Sequence, residues 1–152
     1  MTALTPRRLF RTAAVAEAIT WALLLVGMVV KYAGPTDALV RVFGMLHGIV
    51  FVAYVLVTVF VWVNQRWRPA TGVLALLSSV PPLVTILFDV LAERRRRLDG
   101  GWRLLHEQPS GPLEHGQALL LRRPLAAVGV LVVAVAVLTA LALVVGPPGA
   151  SA

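Results

Sequence analysis

Apolar positions along this chain do not alternate with polar ones; they run together in four long blocks, at roughly 12–30, 42–63, 71–92 and 124–145, separated by stretches rich in arginine, glycine and proline. A helix of about 20 residues crosses the ~30 Å hydrocarbon layer of a bilayer, so each block is long enough to span it. A helix also satisfies its own backbone where water is absent. The pattern predicts an all-α, polytopic membrane protein with four transmembrane helices. The first block ends at "KYAGPTD", where Lys31 and Tyr32 form an interfacial pair, and the second at "WVNQRWRP", with Trp62 and Trp67 at the depth of an aromatic belt. The third, "GVLALLSSVPPLVTILFDVLAE", carries Pro81 and Pro82, which remove two backbone donors and predict a kink. Ser78 and Ser79 sit where the freed carbonyls need partners. The fourth starts at Pro124, has Thr139 as its one polar side chain and reads as an anchor.

This divides the chain into a three-helix membrane domain (1–93), a basic Gly/Pro-rich polar loop with no core of its own (94–123), and a C-terminal transmembrane helix with a short tail (124–152). "PRRLFRTAA" resembles a twin-arginine export signal, but Glu17 interrupts its apolar run and no small-x-small cleavage site follows, so the segment is expected to be the first membrane helix.

Composition agrees: 59% of residues are hydrophobic and 14% charged, whereas soluble domains carry about a quarter charged. With no cysteine, disulfides, thiolate metal sites and cysteine nucleophiles are excluded. The net charge of +7 lies almost wholly in the gaps between apolar blocks, which suits anionic head groups of a lipid bilayer and not nucleic acid, for which there is no folded basic module.

Charge and length disagree about topology. Four spans with the N-terminus inside leave nine of the fourteen basic residues outside, including Arg94, Arg95, Arg96 and Arg97, against the positive-inside tendency; reversal puts nine inside. Folding the Pro-Pro segment as a hairpin puts twelve on one side and two on the other. A hairpin of two ~10-residue arms, however, exposes broken backbone near midplane unless other helices shield it. The expectation is four spans with a kinked third, orientation open.

The ionisable residues inside the blocks are Glu17, His47 and Asp89, with Lys31 at a boundary. Such groups are costly in hydrocarbon and are functional candidates for that reason. If all blocks span, His47 and Asp89 lie at matching depth and Lys31 nearby, while Glu17 is on the other side, paired with Arg66 or Arg68 or serving as a protonatable group. His47, Phe51, Tyr54 and Thr58 share one helix face, as do Ser78, Pro82, Thr85 and Asp89. Two such stripes are expected to face each other, with His47 bonded to Asp89 first and Thr85 second. Gly44 and Gly48 form a GxxxG that would admit another helix backbone. One histidine and one carboxylate fall short of a zinc site, and no cofactor or metal is expected. His106-Glu107 and Glu114-His115 are expected to be solvated. Arg94 to Arg97 read as head-group contacts that also set topology.

The first ~93 residues resemble a bacterial family of small integral membrane proteins, DUF3817. The resemblance rests on Glu17 in "AEAITWALLL", the "KY" pair, "GMLHGIVFVAY" and "SSVPPLVTILFDVL". It implies no activity, although the arginine-, alanine- and valine-heavy composition suits a bacterial plasma membrane protein. Three functions follow in order of expectation: a non-catalytic accessory or interaction protein, or a homo-oligomer; a small proton-coupled permease using His47 and Asp89; and a membrane enzyme acting on lipid, with His47 as base.

Overall fold

The computed structural model describes residues 4–34 and 36–145, and the regular secondary structure among them is all helical, with no strand. Helix α1 runs Pro6–Ala33 and α2 Ala38–Gln65. The Thr5 hydroxyl accepts from the Arg8 N–H at 3.2 Å, and Pro6 supplies a preset first turn. α2 stops at Arg66, whose left-handed backbone (φ 49°) turns its own N–H onto Val63 O and the Trp67 N–H onto Trp62 O. The two helices are antiparallel neighbours. A Cβ on Gly27 would stand 3.2 Å from the backbone of Leu39 and Val40, so glycine sets how closely they approach there.

The third apolar block departs from expectation. It is two short helices, α3 (Pro69–Leu77) and α4 (Val84–Arg94), with a break between them where a single kinked span was expected. At nine and eleven residues they reach only about 14 and 16 Å, and neither can cross a bilayer. The cause is local. Pro81 and Pro82 cannot continue the ladder, and Leu83 follows in the left-handed region (φ 66°), which reverses the chain. Ser78 and Ser79 donate back into the last turn of α3, to Ala75 O at 2.7 Å and Leu76 O at 2.6 Å, while Leu77 O, left without its helical donor by Pro81, accepts the Val80 N–H at 3.1 Å.

The reversal brings residue 97 back to the start of α3. Trp67 Nε1 donates to Arg97 O at 2.8 Å, and the Arg97 guanidinium bonds the Thr71 hydroxyl. The far end of α4 meets the start of α1 through Arg7 and Arg11, both paired with Glu93. The shielding that a hairpin needs is present: Trp21 of α1 donates to Ser79 O at 3.1 Å, and Tyr54 of α2 to Ala75 O at 2.9 Å. Trp62 lies flat over Gly72, so close that a Cβ there would be 2.1 Å from the indole.

Three helices, α1, α2 and α6 (Pro124–Val145), are long and apolar enough to cross a membrane. α6 packs along α2 and has no buried residue; the tail after it lies outside the described residues. The connecting segment is more ordered than a solvated loop. A 3-10 turn (Arg103–Leu105) and helix α5 (Pro112–Arg122) fold onto the end of α2, with Leu104 and Ala118 buried, while Leu98 before them joins the core around Phe10.

Phe10 is the centre of the core. Its ring lies 5.9 Å from Tyr54, 5.7 Å from Trp67 and 5.9 Å from Phe88, and thereby ties α1, α2 and the hairpin together.

Candidate functional site

The buried polar groups form a thread along the inner face of α1, where Phe10, Ala14, Glu17 and Trp21 recur at helical spacing. At its start, Arg11 Nε donates to Asp89 Oδ2 at 3.0 Å. One and a half turns further along, Thr85 donates to Glu17 Oε2 at 2.6 Å and lies 3.3 Å from Ala14 O. Next, Thr20 lies 3.1 Å from His47 Nδ1 and donates to Glu17 O at 2.9 Å. The His47 ring is half-buried, with its centroid 4.6 Å from that of Trp21 and 6.2 Å from that of Phe51. Tyr54 OH sits at the hairpin break, 3.2 Å from Ser78 Oγ.

The expected pairing of His47 with Asp89 is not formed. Their partners on α1, Thr20 and Arg11, are nine residues apart, about 13 Å along the helix. The hairpin is the reason: it returns Asp89 to the arginine end of α1. Thr85, the second choice for His47, bonds Glu17. Lys31 is exposed near the far end of α1 and takes no part. Glu17 meets neither Arg66 nor Arg68; Arg66 faces Glu107 and Glu114 at 3.9 and 3.7 Å. The α2 stripe is one face, meeting α1 through His47 and the hairpin through Tyr54, whereas the second stripe is divided by the break: Ser78 meets Tyr54, Thr85 and Asp89 meet α1, and Pro82 is exposed.

Three carboxyl or hydroxyl oxygens in this core, Glu17 Oε1, Asp89 Oδ1 and Thr58 Oγ1, are buried without a hydrogen-bond partner, and Glu17 itself is 0% exposed. The described residues hold no cluster of three or more metal-ligating side chains.

The GxxxG glycines do not draw helices of this chain together. A Cβ on Gly44 would meet only Leu24 Cδ1 at 3.7 Å, and one on Gly48 would meet nothing within 4 Å. Gly27 and Gly72 are the close approaches instead. Of the arginine run, Arg94, Arg95 and Arg96 are exposed and Arg97 is tucked against Thr71.

Sequence reasoning also missed the centre of the connecting segment. Arg103 donates to Asn64 O at 2.9 Å, to Glu107 at 3.0 Å and to Glu114 at 2.6 Å, so it caps the end of α2 and holds α5 to it. Glu114 accepts the Ser110 N–H at 2.9 Å, and that bond, with Arg103, lowers its pKa to about 2. The two acidic residues of the His-Glu dipeptides thus serve an arginine, not a metal.

An all-helical bundle with three long apolar helices, a broken hairpin and a belt of arginines at one end defines an integral membrane protein. The chain belongs to the family described as a domain of unknown function, DUF3817, which matches residues 7–94. It is 48% identical over 93 residues to a Streptomyces coelicolor protein named "Putative membrane protein SCO5905". That alignment covers 60% of this chain and 11% of the relative, so the chain matches only a small part of a much longer protein. No solved structure matches. The family unit ends with α4, leaving the connecting segment and α6 outside it.

Proposed function

We propose that this chain is a non-catalytic membrane protein that works through helix contacts, as an accessory or interaction subunit or as a homo-oligomer. The observation that carries the reading is that its family unit makes up about a tenth of a much longer membrane-protein relative, as a contact module would. The polar thread supports it. Thr85 and Tyr54 tie the hairpin to α1 and α2, and Thr20 with His47 ties α1 to α2. Gly44 and Gly48 on α2 are the proposed contact face for a partner helix. Purification from native membranes in mild detergent should bring down an oligomer or a stoichiometric partner, lost in Gly48→Leu; a clean monomer in several detergents would overturn the reading.

The proposed topology has three crossings and a re-entrant hairpin, in a bacterial plasma membrane. It gathers Arg7, Arg8, Arg11, Arg66, Arg68, Arg94 to Arg97, Arg103, Arg122 and Arg123 at one end, leaving Lys31 and Arg41 at the other. That distribution assigns the arginine end to the cytoplasm, with Arg94, Arg95 and Arg96 against head groups.

One observation favours a second reading, proton-coupled transport: the unpartnered Glu17 Oε1 beside the hairpin break, since discontinuous helices carry the ion sites of many transporters. The protonatable group is then Glu17. Proton-driven uptake in vesicles that survives Glu17→Gln removes this reading.

A further inference from the structure

We infer that the arginine end carries a discrete site for the phosphate of an anionic phospholipid. A hollow of about 450 Å³ opens there, lined by Thr5, Arg7, Arg8 and Arg11 from the start of α1 and by Leu98, Asp99 and Gly100 from the turn after α4. Its two walls are fixed. Trp102 Nε1 donates to Leu4 O, which pins the segment entering α1, and the turn is anchored by the buried Leu98 side chain.

The local charges leave positive charge unspent. Six arginines (7, 8, 11, 94, 95 and 96) stand against three carboxylates: Asp89 and Glu93 take Arg7 and Arg11, and Asp99 lies 4.0 Å from Arg96. Arg8, Arg94 and Arg95 have no carboxylate within ion-pair distance among the described residues. Arg8 is the one of these that lines the hollow, at the first turn of a 28-residue helix whose N-terminal dipole adds to the attraction. A guanidinium presents paired donors that match a phosphate's oxygens.

Depth selects the source of the phosphate. Arg7 to Arg11 occupy the turn and a half immediately before the apolar run of α1, which places the hollow in the head-group layer of the leaflet that the span enters. A diacyl phosphatidylglycerol can seat its head group there with its chains beside α1 and α4. This site rests on the proposed topology, which a separate measurement addresses.

The test uses the full chain in nanodiscs of phosphatidylcholine with a minor fraction of phosphatidylglycerol, reading the phosphatidylglycerol retained after extraction into mild detergent. Arg8→Ala is expected to retain it roughly fivefold more weakly, and Arg8→Lys to recover part of the loss. Arg41→Ala, at the other end, is expected to change nothing. Inorganic phosphate at tens of millimolar should not displace the lipid; displacement would identify a free-phosphate site and overturn the lipid assignment. Equal retention by wild type and Arg8→Ala, or equal loss in Arg41→Ala, overturns the site. Cysteine accessibility at positions 66 and 96 reports the topology independently, so failure of the lipid site is distinguishable from failure of the topology.

Discussion

Residues 69–94 and 124–145 are two apolar segments of similar length, and the chain treats them in opposite ways. The first breaks, doubles back and puts Thr71, Ala75, Ser78, Thr85, Asp89 and Ala92 into the core. The second is one unbroken helix with no buried residue, resting along α2. The first is also the less apolar of the two, with Asp89, Glu93 and Arg94 in its second arm where the other segment has no charged residue. The difference comes from a proline pair at the middle of one and from polar side chains that have partners on α1 and α2, while the other offers Thr139 alone. A polar group in hydrocarbon is stabilised only by a partner, and the segment rich in such groups is the one that docks.

The sharpest way to break this contrast is to remove what the hairpin docks on. Phe10→Ala empties a site touching Tyr54, Trp67 and Phe88 at once, and we expect a loss of about 3–5 kcal/mol, read from denaturant titration in detergent. Gly72→Ala should follow at about 1–3 kcal/mol, because its Cβ would enter the Trp62 ring. Indole fluorescence should shift with it. Cysteines placed at Arg66 and Arg96 should label from the same side of the membrane; labelling from opposite sides would turn the hairpin back into a crossing.

Acid should act on the joint between the two segments. Glu114, held at about 2 against an ordinary 4.5, contributes stability that is fully present above pH 4.5 and lost as pH falls through 2. Trp102, against Phe60 at 5.5 Å, reports the release of α5 as a change in fluorescence, and Glu114→Gln should abolish that pH dependence. The smallest effect belongs to α6, where Val133→Ala should stay within about 0.5 kcal/mol. A large loss there would mean that α6 is covered by something other than lipid.

Much of the fold was legible in the chain. Block length and apolarity marked α1, α2 and α6, while the serines expected to serve the carbonyls freed by Pro81 and Pro82 bond carbonyls of the preceding turn, Ala75 O and Leu76 O. The arginine distribution argued for the hairpin, yet block length outweighed it, because length alone cannot show whether Trp21 and Tyr54 stand ready to cover a broken backbone. That error carried into the site. Depth matched His47 to Asp89 only for a helix that crosses, and with the reversal Asp89 found Arg11. Glu17, Thr20 and Trp21 lie at i, i+3 and i+4, a signal for Thr20 that periodicity could have supplied. Gly72 had no such signal, since nothing local distinguishes a glycine under an indole from one facing lipid.

The salt bridge between Arg7 and Glu93 joins the two ends of the family unit, and this has a consequence for parity. A unit that makes two crossings and then a re-entrant turn begins and ends on the same face of the membrane. Whatever follows it in a polypeptide keeps the sidedness it would have had without it. Such a unit is topologically neutral and can be spliced into a long membrane protein without inverting the rest, as a unit with three crossings could not. In the proposed topology it is α6 that changes the count from even to odd and carries the polypeptide to the opposite side.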